Sequence, residues 1–254
     1  MHLTGILLLS GMSFLAGFID AVAGGGGLIL MPSLLVAGLP PQMALGTNKF
    51  ASMLGTTTAL MNFVRSRKVI WKIALVGLPF SLVGSVFGTR AILHFDQAMA
   101  VKIIVFLLPF PAVLTFLPKK QLKTSATEFS ALYMYLHVPL LCLVIGFYDG
   151  FFGPGTGTIL IFGFYAFLGL HLINASAISK VFNLASNVGS FVTFVVAGKV
   201  LYSIGIPIAL ANILGGYIGS SLAIKKGQSF IKAILILVFI ILFISLVLRQ
   251  LTGK

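Results

Sequence analysis

The chain has 254 residues, 59% of them hydrophobic and 8% charged, and its 23 phenylalanines outnumber its four acidic residues. A soluble domain of this length needs far more charge to stay dispersed, so the composition excludes that class and predicts an all-α polytopic membrane protein. The net charge of +13 is no sign of nucleic acid, because the basic residues lie between apolar segments as loops suited to anionic membrane lipid.

In chain order, apolar segments are predicted at about 4–22, 26–38, 44–64, 72–92, 99–117, 131–149, 156–170, 176–197, 203–222 and 230–248. The longest runs approach the roughly 20 residues that cross a hydrocarbon core of about 30 Å. The first segment, LTGILLLSGMSFLAGF, has no basic leader and reads as a retained span, not a cleaved signal. The stretch PKKQLKTSATEFS, residues 118–130, is the one long polar interval. It is expected to be a central cytoplasmic loop between a first half, 1–117, and a second half, 131–254. The single cysteine, Cys142, lies in an apolar run and supports no disulfide framework.

The two halves repeat one another. GFIDAVAGGGG (17–27) answers GFYDGFFGPGTG (146–157), which places Asp20 against Asp149 at an offset of 129. After a two-residue shift the offset becomes 131, pairing Lys49 with Lys180, Lys68 with Lys199, Gly84 with Gly215 and Gly88 with Gly219. Apolar residues match by chance; paired Asp, paired Lys and paired GxxxG do not. If the short segments 26–38 and 156–170 cross fully, each half has five crossings and the repeats are inverted; if they are re-entrant, the repeats are parallel. Counting basic residues does not separate the two, but the inverted arrangement puts Arg65–Lys72, Lys119–Lys123 and Lys225–Lys232 together in the cytoplasm and is favoured.

Ionisable groups inside spans are expensive and mark function or pairing. Asp20, Lys49, Asp149 and Lys180 are the four. Snorkelling lysines and capping or ion-paired aspartates are the plain alternatives. Both lysines are expected in the first turns of their helices, where the backbone dipole is already positive, so an anion, bound or built in, is expected close by. Donors surround them: Thr47, Asn48 and Ser52 in one half, and Ser176, Ser179, Asn183, Ser186 and Asn187 in the other. Gly24, Gly25, Gly26 and Gly27, and later Gly153-Pro154-Gly155, should break the helix and free backbone N–H groups. Half-helices beginning at such breaks can hold an anion near the membrane midplane. The two GxxxG pairs are better read as packing faces. No phosphate loop, metal-ligand spacing or GxSxG elbow occurs, so neither cofactor nor metal nor enzymatic activity is expected.

With GFIDAVAGGGGL, GTNKFASMLG, GFYDGFFGPGTGT and KVFNLASNVGSFVTFVVAGKV assembled, the chain resembles the sulfite exporter TauE/SafE family, in its bacterial inner-membrane branch, over nearly its whole length. The resemblance implies a secondary transporter of small sulfur-containing anions such as sulfite or sulfonates. The matching positions are Asp20, Gly24–Gly27, Thr47, Asn48, Lys49, Asp149, Gly153, Gly155, Lys180, Asn183 and Asn187. The expected partners are the small anion and membrane lipid, with no nucleic acid; a homo-oligomer is compatible with this reading. Asp20 or Asp149 is expected to titrate and couple transport to protons. Two rivals stay open: a passive anion channel, and a non-transporting membrane protein whose Asp and Lys form structural pairs.

Overall fold

The computed structural model describes residues 3–107, 132–234 and 236–237. The expected central loop 118–130, the end of the fifth segment and most of the tenth lie outside them. Among the described residues there is no strand. The helices are α1 (Leu3–Ala23), α2 (Gly27–Val36), α3 (Pro41–Arg65), α4 (Trp71–Leu93) and α5 (Gln97–Leu107). A short π-helical turn, Tyr133–His137, then leads into α6 (Val138–Phe151), α7 (Thr156–Phe167), α8 (Leu172–Val196) and α9 (Tyr202–Lys226).

Four stretches, Leu3–Ala23, Trp71–Leu93, Met134–Phe151 and Tyr202–Lys226, are long and apolar enough to cross a membrane. Their outward faces carry Leu3, Leu7 and Leu15 on α1, Leu75, Val83 and Phe87 on α4, Leu140, Val144 and Phe147 on α6, and Ile206, Leu210 and Leu214 on α9. Exposed apolar area on this scale suits hydrocarbon rather than water. The protein is multi-pass and all-α, as its composition predicts.

Helices α3 and α8 are different. Each has 25 residues, enough to span, yet their buried faces carry Thr47, Asn48, Lys49 and Thr56, and Ser176, Ser179, Lys180, Asn183, Ser186 and Asn187. They pack on one another at the centre, with α9 against α3 and α4 against α8. The outer helices meet the lipid, which lets the central pair be polar. Helices α2 and α7 have 10 and 12 residues. At about 1.5 Å per residue each is about half as long as a core of about 30 Å is thick, so both are half-helices by length.

Each outer helix is seated on the far half of the chain. Helix α1 runs along α9: Ser13 Oγ donates to Ile208 O at 2.7 Å, and Asn212 Nδ2 donates to Ser13 O at 3.0 Å. Farther on, Gly215 and Gly219 lie against Phe14 and Phe18 with no room for a Cβ. Helix α6 runs along α4 in the same manner, with Gly84 against Leu143, Gly88 against Phe147, Gly146 against Ser81 and Gly150 against Ser85. The GxxxG pairs are therefore packing faces. In both interfaces residue numbers rise together, so α1 is parallel to α9 and α6 to α4. The same order holds where Leu201 N–H and Asn62 tie α9 to α3, and where Asn174 and Ser81 tie α8 to α4.

Candidate functional site: two cross-linked ion pairs at broken helices

The helix breaks come from glycine. Gly24 has φ 79°, Gly153 φ 92° and Gly155 φ 83°, a left-handed backbone that side chains with a Cβ adopt only under strain. Helix α1 stops before Gly24 and α2 starts at Gly27; α6 stops before Gly153 and α7 starts at Thr156. The two breaks touch. Thr158 donates its N–H to Gly24 O at 3.2 Å and its hydroxyl to Ala23 O at 2.8 Å. A Cβ on Gly24 would collide with the backbone of Gly157 and Thr158, which explains glycine there. The N–H groups of Gly25 and Gly26, both buried, find no acceptor among the described residues. Buried donors of this kind ordinarily have partners, and at a helix start they suit a negative group.

Beside these breaks lie two ion pairs, each joining one half of the chain to the other. Lys49 Nζ lies 2.8 Å from Asp149 Oδ1, with both side chains 2% exposed. Lys49 also donates to Asn187 Oδ1 at 3.1 Å, and Asn187 Nδ2 donates to Asn183 Oδ1 at 3.1 Å. Ser186 Oγ donates to the other carboxylate oxygen, Asp149 Oδ2. In the second pair Lys180 Nζ lies 3.1 Å from Asp20 Oδ2 and donates as well to the main-chain carbonyl of Asp20. Here the lysine is fully buried while Asp20 is 18% exposed.

Of the plain alternatives, snorkelling does not apply, since both lysines are buried and paired. One expectation needs correction: the lysines do not sit in first turns. Helix α3 begins at Pro41 and α8 at Leu172, so Lys49 and Lys180 lie more than two turns in, beyond the reach of the terminal dipole. Pro41 and the His171–Leu172 corner start these helices ahead of the apolar stretch from which their starts were read. The anion beside each lysine is built in, and it is the aspartate of the opposite half.

The remaining candidates divide. Asn183 and Asn187 belong to the Lys49–Asp149 network. Thr47 instead accepts the Leu201 N–H at 3.0 Å, satisfying the start of α9. Asn48 is buried beside Lys49, and its Oδ1 has no hydrogen-bond partner among the described residues. Ser52 is half-buried on the same helix and joins neither pair. Two participants were not singled out from sequence: Thr158, which ties the two breaks together, and Tyr148, whose hydroxyl donates to Pro154 O at 2.8 Å. Their position beside the glycine runs, in GFYDG and GTGT, was the available signal. A cavity of about 860 Å³ between α1 and α2 is lined by apolar groups such as Leu8, Met12, Pro32 and Val36 and includes none of these residues. Among the described residues no cluster of side chains suited to a metal is found.

Comparison with known proteins adds identity to this geometry. The family model described as "Sulfite exporter TauE/SafE" matches residues 9–246. A "Probable membrane transporter protein" of Haemophilus influenzae is 38% identical, with 94% of this chain and 93% of the relative aligned. "Probable membrane transporter protein ORF9" of a Sinorhizobium species is 36% identical over 96% of this chain and 92% of its own length. "Probable membrane transporter protein YfcA" of Escherichia coli K12 is 34% identical over 93% and 86%. No solved structure matches. With apolar outer helices, a polar centre and relatives of this kind, the protein is a multi-pass bacterial cell-membrane protein of the transporter class, and the chain belongs to the sulfite exporter TauE/SafE family.

Proposed function

We propose that the protein is a secondary transporter of small sulfur-containing anions, such as sulfite or sulfonates, across the cytoplasmic membrane. The observation that carries this reading is the meeting of two broken helices beside two Lys–Asp pairs, built on buried lysines, that join the halves of the chain. Lys49 and Lys180 supply positive charge, the N–H groups of Gly25 and Gly26 supply fixed donors, and Asn48, Asn183 and Asn187 orient the anion. The substrate class is supported by the family's description; the site itself supports a small anion. Opening of an ion pair makes Asp20 or Asp149 available to a proton, and this is the coupling we assign. The two halves are taken as inverted repeats, a reading supported by the order of contacts: α1 and α3 run parallel to α9, α6 and α8 run parallel to α4, and a tight turn sets α4 against α3.

Purified protein in liposomes, offered sulfite, thiosulfate, sulfate and small sulfonates, tests the reading. Saturable uptake of one anion, with counterflow, is expected, and it should be lost in folded Lys49→Ala and Lys180→Ala. Uptake without counterflow would make the protein a passive channel. A purely structural role is the second reading, and the near-complete enclosure of Lys49 and Asp149 favours it for that pair. No transport of any anion would extend it to both.

A further inference from the structure

The two ion pairs occupy matching places in the two halves but are not chemically equivalent. Asp149 is held at both oxygens, by Lys49 on Oδ1 and by Ser186 on Oδ2, and Lys49 has a second acceptor in Asn187. At the offset of 131 the counterparts of Ser186 and Asn187 are Gly55 and Thr56, so the other half lacks both groups. Gly55 is glycine for a separate reason: its place is filled by the Asn212 side chain of α9, leaving no room for a Cβ. Asp20 accordingly receives Lys180 on Oδ2, and its second oxygen receives no donor among the described residues. Its side chain is 18% exposed against 2% for Asp149.

Asp20 also has somewhere to go. Gly26 packs directly on it, since a Cβ at Gly26 would stand 2.7 Å from Asp20 Cβ. The N–H groups of Gly25 and Gly26 lie at this place without acceptors among the described residues. Lys180 by contrast has no alternative among the described residues: both of its acceptors there belong to Asp20, the carboxylate and the main-chain carbonyl.

We propose that Asp20 is a built-in stand-in for the transported anion, holding Lys180 until the anion displaces its carboxylate toward the glycine N–H groups, while Lys49–Asp149 is a fixed strut. This rests on the transport reading and narrows it: the pair that opens is Asp20–Lys180, and Lys49, Asn183 and Asn187 serve the anion only as fixed surroundings. Asp20 is then a positioning residue that competes with substrate, so anion affinity is set partly by the strength of the Asp20–Lys180 pair.

Two measurements test this. In Asp20→Cys the thiol should react with a small anionic methanethiosulfonate, and methanesulfonate, a small sulfonate that does not attack the reagent, should slow the reaction. Asp149→Cys should be at least tenfold slower, as should Ser186→Cys, which serves if Asp149→Cys does not fold. The native Cys142 is buried and leaves a low background. Independently, Asp20→Asn, which nearly keeps shape but weakens the competitor, should bind sulfite several-fold more tightly and lower both KM and kcat. Equal reactivity at both positions, or unchanged or weaker sulfite binding by Asp20→Asn, would overturn the proposal. Protection at position 20 by methanesulfonate without transport by the wild type would remove the transport reading and leave the displacement standing. Transport together with equal reactivity would do the reverse.

Discussion

Removing one partner of a buried ion pair strands the other charge away from water and counter-ion, at a cost of about 3–5 kcal/mol in measured cases. Asp149→Asn does this to Lys49, which is 1% exposed. It should lower the thermal midpoint of the detergent-solubilised protein well below that of Asp20→Asn, where the partly exposed carboxylate site relaxes more easily. Equal losses would make the two pairs energetically alike. At this scale the sequence was legible in part. Four ionisable residues inside apolar segments stood out because hydrocarbon makes them expensive, and the repeat made them a set. Which lysine meets which aspartate was not legible. Asp20 and Lys180 are 160 residues apart in the chain, and only the crossing of the two halves brings them together. Asn48 shows the same limit from the other side: its type and place mark it as a polar candidate, yet its Oδ1 meets no donor among the described residues.

Between helices the contacts are set by missing side chains. Phe14 and Phe18 of α1 come so close to Gly215 and Gly219 of α9 that any Cβ would strike backbone, and a rigid helix cannot yield there as a flexible side chain can. Overfilling a well-packed contact typically costs about 1–3 kcal/mol. Gly215→Ala should therefore lower the melting temperature. Gly11→Ala, on the same interacting helix α1 but with nothing within 4 Å of the new Cβ, should leave it unchanged or raise it. A Gly215→Ala protein as stable as Gly11→Ala would mean that α1 and α9 separate readily. These glycines were readable because small residues three or four apart form a stripe on a helix. Helix starts were read less well: Pro41 opens α3 ahead of the apolar stretch, which moved Lys49 from the first turn to the third. The half-helices were foreseen because glycine runs end helices whatever surrounds them. Their lengths, and so whether they cross the membrane, depended on packing that periodicity does not encode.

For the whole molecule, the order of contacts bears directly on orientation. Helix α3 is parallel to α9, α8 is parallel to α4, and tight turns join α3 to α4 and α8 to α9. The turn after Arg65 and the end of α9 at Lys226 then lie at the same end of the molecule, and the turns after Leu93 and Val196 at the opposite end. The first end carries Arg65, Arg67, Lys68, Lys72, Lys225 and Lys226; the second carries Arg90, Lys102 and Lys199. Basic residues accumulate on the cytoplasmic side, so the first end is assigned inward. Cysteines at Ser66 and Gly227 should react with a membrane-impermeant thiol reagent only in inside-out vesicles, and cysteines at His94 and Gly198 only in intact cells. Ser66→Cys and Gly227→Cys labelling from opposite sides would require parallel repeats, and the pseudosymmetric exchange of the two ion pairs across the membrane would then have no geometric basis. Labelling from one side supports a two-fold relation lying in the membrane plane, in which the Asp20 and Asp149 pairs face opposite compartments by construction. An asymmetric pair of sites on such a frame would suit alternating access, because the frame could rock between two nearly equivalent states while the proposed displacement acts on the Asp20 side alone.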